Sequence, residues 1–170
     1  MANALARWFH HLRQRLLGGP KKPAAQRPPD PRVDASPWLA QMLDELGARY
    51  RLGEDKPEGA QIIRRTGKER FNPMRVWVRA SDARVAGDYD VRVRGGKPLE
   101  HGKALLDRKI TGPLGALGLS PTTESVEEWG GHVLTRRYEG ACADAHAAAA
   151  AVRFICEQSD QVIDSEAEPE

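Results

Sequence analysis

The chain has 170 residues, 40% hydrophobic and 29% charged, with a formal net charge of +2 and two cysteines. That length holds one ordinary domain with tails, and a domain of roughly 110 to 130 residues is long enough to bury a core. No apolar run approaches the roughly 20 residues needed to span a bilayer, and the first residues lack the apolar stretch and cleavage site of a secretory signal, so the expectation is a cytoplasmic protein that is not membrane-spanning.

The charge is unevenly placed. Residues 1–33 hold seven cations (Arg7, Arg13, Arg15, Lys21, Lys22, Arg27, Arg32) and one anion (Asp30), a net of +6. Residues 157–170 hold six anions and no cation, a net of −6. A near-neutral body between a basic arm and an acidic tail suits interaction arms and, equally, solvated tails.

In chain order, Leu5, Trp8, Phe9, Leu12 and Leu16 recur at helical spacing with Arg7, Arg13 and Arg15 largely off that stripe, which predicts an amphipathic helix over 1–17. Gly18, Gly19 and Pro20 stop it. Pro23, Pro28, Pro29 and Pro31 then mark 18–35 as an extended linker, so the helix is tethered and forms only on a surface or a partner. Ser36 before Pro37 is a helix start, and Trp38, Leu39, Met42, Leu43 and Leu46 line one face of a helix ending near Tyr50. A charged loop follows, then a short first strand over 61–66.

The stretch 74–95 reads as two strands and the loop between them. Met74, Val76, Val78 and Ala80 share one face of the first, and Tyr89, Val91 and Val93 share one face of the second. Arg75, Trp77, Arg79, Asp88, Asp90, Arg92 and Arg94 form the opposite, wet face. After a turn at Gly95–Pro98, apolar residues from Ala104 to Ile110 predict a helix, interrupted at Gly112-Pro113 and followed by one more turn. Gly130-Gly131 between 122–129 and 132–138 predicts a hairpin in which Val126 pairs with Val133. Asp144 caps a final alanine-rich helix to about Ser159, striped by Val152, Phe154 and Ile155 and continued by Val162. Residues 36–160 form the expected domain and 161–170 an acidic tail.

No catalytic motif is present: no Walker-type phosphate loop, no H-E-x-x-H, no G-x-S-x-G and no C-x-x-C pair. Cys142 and His146 stand four apart, the spacing of a thiol–imidazole pair or half a metal site, although small buried packing residues are the commoner role of such cysteines. An enzyme site would require His132, Cys142 and His146 to converge. Arg75, Trp77, Arg79, Arg92 and Arg94 combine charge with a stacking ring, as a nucleic-acid surface does, but Asp88 and Asp90 share the face and mixed charge is ordinary on the wet side of an antiparallel sheet. Leu5, Trp8, Phe9 and Leu12 suit docking to a partner protein or peripheral membrane contact.

The predicted fold is α+β, an antiparallel sheet of about five strands with packed helices in the order α-β-β-β-α-β-β-α. In that order of elements, from the helix at 38–50 through the strands at 74–80 and 89–94, the helix about Leu105, the Gly130-Gly131 hairpin and the helix from Asp144, the chain resembles the type III secretion chaperone and YbjN-like superfamily. The resemblance implies a twisted sheet and a non-enzymatic, chaperone-like or adaptor module, without cofactor or metal, that binds a protein or peptide segment, often as a dimer. A nucleic-acid-binding regulator using the arginine face and basic arm is the alternative.

Overall fold

Ser36 caps the first long helix much as its sequence dictates, its hydroxyl accepting from the Leu39 amide at 3.2 Å with Pro37 in the first turn. In the computed structural model the described residues are 30–66, 70–93, 96–128, 131–158 and 163–164. The helix it begins, α2 (Pro37–Leu46), buries Leu39, Met42, Leu43 and Leu46 and ends at Gly47, whose φ of +78° suits glycine.

The body starts earlier than the predicted linker boundary. Asp30 caps a single helical turn, α1 (Pro31–Asp34), and Arg32 bridges from Asp30 to the Gly53 carbonyl at 2.8 Å and to Asp55 at 2.7 Å. These bonds clip 30–34 to the first strand.

Six antiparallel strands follow in the sheet order β1-β2-β3-β4-β6-β5: β1 (Tyr50–Lys56), β2 (Gly59–Thr66), β3 (Arg70–Arg79), β4 (Arg84–Val93), β5 (Ser120–Glu128) and β6 (His132–Ala141). The class is α+β, as the alternation predicted. The count is one higher than five because β1 was read as helix end and charged loop. Its only apolar alternation is Tyr50 and Leu52, and its outer residues Glu54, Asp55 and Lys56 are all exposed.

Between β4 and β5 runs a helical stretch: α3 (Leu99–Leu106), a π-helical turn at Asp107–Thr111, and α4 (Gly112–Ala116). Gly112-Pro113 does not break it, contrary to the interruption expected from the sequence. The wider π turn immediately precedes Pro113, where a regular helix would bring the ring against the carbonyl one turn back. α5 (Ala145–Gln158) closes the domain, with Asp144 capping the Ala147 amide at 2.8 Å.

All helices pack on one face. Tyr50, Leu52, Ile62, Val76, Val78, Tyr89, Val91, Val93, Leu134 and Tyr138 of the sheet form one buried cluster with Leu43, Leu106, Ile110, Val152 and Ile155 of the helices. α5 lies close on β4 because Gly87 has no side chain: a Cβ there would stand 2.7 Å from Ile155 Cδ1. The guanidinium of Arg64, buried at the same layer, donates to the Cys156 carbonyl near the end of α5.

β5 and β6 pair antiparallel as expected, but their register differs by one from the expected Val126–Val133 pairing: Val126 faces Leu134, and Glu128 faces His132. Val126, opposite the buried Leu134, falls on the helix-side face and, at the sheet edge, stays 44% exposed.

Candidate functional site

The two faces predicted for the central strands are the two faces observed. Val76, Val78, Tyr89, Val91 and Val93 are buried beneath the helices, and Trp77 sits opposite Ala86 on the uncovered face. Leu5, Trp8, Phe9, Leu12 and Arg94 lie outside the described residues.

The arginines of this face are held by carboxylates. Arg75 donates through Nη1 to Asp90 at 2.6 Å and through Nη2 to Asp88 at 3.1 Å. Burial opposes the charge on Arg75, and the attraction of Asp90 and Asp88 outweighs it, so its pKa is raised. Arg79 makes a two-pronged contact with Asp82 at 2.7 and 2.8 Å. Arg84 bonds Glu139 at 3.0 Å, and Arg137 lies 5.0 Å above the Trp77 ring with its Nε 3.7 Å from Asp88. Arg92 is exposed. Arg75 and Arg79, two of the four arginines predicted for this face, are thus neutralised within it, which weakens its pull on phosphates.

More informative is a split in the sheet. β3 pairs with β4 only from Val76↔Gly87 to Arg79↔Arg84, whereas β6 pairs with β4 along its whole length, Arg84↔Ala141 to Val93↔His132. The cause lies in β3. Its register against β2 jumps from Gln61↔Trp77 to Ile63↔Pro73, an irregularity that leaves extra residues on β3, and the Gln61 amide pins it by donating to the Met74 carbonyl at 2.9 Å. Pro73, without an N–H, belongs on a strand segment lacking a full set of neighbours. The front half of β3 therefore follows β2 and leaves β4.

From Asp88 onward, one edge of β4 is vacated by β3, and Arg75 spans the gap by reaching both Asp88 and Asp90. Thr135 completes the cluster, donating to Asp90 at 2.7 Å. A short strand from the tail, β7 (Ile163–Asp164), adds to this vacated edge in parallel, Val91↔Ile163 and Arg92↔Asp164. The sequence expectation for these two residues is an acidic tail, and the β4 edge carries no expected role. The available signals were Pro73 inside a strand pattern and the apolar pair Val162-Ile163 inside an acidic stretch.

The residues weighed for chemistry do not converge. His132 opens β6 and Cys142 follows its last residue, so about 30 Å of extended strand separates them. His146 is exposed and its Nδ1 lies 3.2 Å from Glu45 of α2. Cys142 is buried, and burial, with Asp144 nearby, pushes its thiol up to about 11. Among the described residues no group of three His, Cys, Asp or Glu has a metal-binding arrangement, and no helix is long and apolar enough to cross a membrane.

The fold and this edge define the class, an α+β protein with one helical layer on an antiparallel sheet. No protein-family model, curated protein or solved structure matches the chain.

Proposed function

We propose that this protein is a non-catalytic binding module, chaperone-like or adaptor in role, that recognises a segment of another protein by adding it as a strand to its sheet. One observation carries the reading: the half of β4 beyond Gly87 that β3 abandons takes an added parallel strand. Strand addition satisfies the main-chain donors and acceptors of an open edge, and affinity comes mostly from those bonds. The amphipathic arm with Leu5, Trp8, Phe9 and Leu12 supplies a second, apolar contact to a protein or membrane surface.

Selection from a displayed library of random decapeptides tests this, run against the full chain and against its Ile163→Pro variant. Enriched peptides should bind and slow hydrogen exchange in β4 between Asp88 and Val93. Failure of both proteins to enrich any peptide would sink the reading. Polynucleotide binding that falls steeply between about 50 and 200 mM salt would favour the nucleic-acid alternative instead.

A further inference from the structure

We propose that the freed edge of β4 is a self-occupied site: the chain's own acidic segment around Ile163–Asp164 is its resident strand, and the external partner it takes is an extended segment of the same chemistry, apolar then acidic, added parallel to β4. The proposal rests on the strand-addition reading and specifies both the ligand class and its competitor.

The register supplies the chemistry. Ile163 stands opposite Val91, which is fully buried, and Asp164 stands opposite Arg92, which is exposed. By backbone register, an apolar residue followed by an acid is thus aligned with an apolar residue followed by a cation. The tail continues with Glu166, Glu168 and Glu170 and no cation. Asp88 and Asp90 would repel such a segment, but Arg75 ties up both carboxylates across the gap. Arg75 is in this sense a positioning residue, which neutralises the entry side of the edge.

Chain geometry makes the tail an effective competitor. Ile155 of α5 packs over Gly87, and Val91 lies four residues further along β4, about 13 Å away. Only four residues separate the end of α5 at Gln158 from Ile163. A tether that short holds the strand at an effective concentration of about millimolar, so an outside segment must out-compete it.

The test uses full-length protein and a labelled synthetic peptide, SDQVIDSEAEPE, identical to residues 159–170. In Ile163→Pro the β4 amides between Asp88 and Val93 that point away from β6 should exchange at least about tenfold faster than in the unaltered chain, with an unchanged thermal transition. The peptide should bind the variant at least about tenfold more tightly than the unaltered chain. Lysine in place of Asp164 in the peptide should abolish that binding, and Arg92→Glu should restore it. Equal exchange in the two proteins would overturn self-occupancy, as would protection that vanishes on dilution alongside a dissociating dimer, since a second copy would then supply the strand. If the edge opens in the variant and the tail peptide does not bind, the resident strand stands and the partner assignment falls, while the binding reading is decided separately by the peptide library. If both proteins bind the peptide equally well at this edge, the binding reading survives and self-occupancy fails.

Discussion

Gly140 and Gly87 show how single residues set the spacing of layers here. A Cβ on Gly140 would lie 1.9 Å from the backbone oxygen of Gly118, while one on Gly87 would meet the tip of the Ile155 side chain at 2.7 Å. A side-chain tip can rotate and a backbone carbonyl in a tight turn cannot. Gly140→Ala should therefore cost more stability in urea unfolding than Gly87→Ala, which we place at about 1–3 kcal/mol as ordinary overpacking. Cys142 gives a pH signature. Its thiol pKa rises from an ordinary 9.0 to about 11 because burial disfavours the thiolate. The folded protein then holds this proton more tightly than the unfolded chain does. Its contribution is complete below pH 9, falls between pH 9 and 11, and is flat above. Urea midpoints measured across that window should decline, and Cys142→Ala should decline less.

At the scale of elements, the strands legible in the sequence were those whose alternation was long and two-sided. β4 shows Tyr89, Val91 and Val93 inward against Asp88, Asp90 and Arg92 outward, and it was read correctly. β1 has only two inward apolar residues before Gly53, so nothing distinguished it from a loop. The hairpin register failed for a different reason: Val126 and Val133 match in type, but a glycine pair does not fix loop length, and a change of one residue moves every partner by one, here to Leu134. That corrected register is testable. Leu134→Ala should cost about 2–5 kcal/mol as a buried truncation, whereas Val126→Thr, at the exposed edge position opposite it, should change stability by less than about 1 kcal/mol. The added-strand edge was invisible for a deeper reason. Which stretch of backbone loses its neighbour depends on the β3 irregularity and on long-range pairing, neither of which leaves a periodic trace. π-helical continuity through Gly112-Pro113 was hidden likewise, because sequence rules treat that dipeptide as a break.

At the scale of the whole molecule, the described core reaches back no further than Val33, which packs against its edge. If the arm acts as a docking element, replacing Trp8 and Phe9 together with Ala should leave the thermal transition within about 2 °C of the unaltered protein while removing association with anionic vesicles or a partner, read by co-sedimentation. A falling transition temperature would place the arm in the fold instead. The order of pairing has a consequence for synthesis. β4 finds its full-length neighbour β6 only after residues 132–141 exist, and although α3 covers Val91 and Val93, the apolar face around Gly87 is roofed only once α5, which ends at Gln158, is made. At about 5–20 residues per second, about 3 to 13 s pass between completing β4 and completing that roof. For that interval the nascent chain carries a half-roofed apolar sheet with an open edge, so the yield of native protein should depend on whatever shields it at the ribosome.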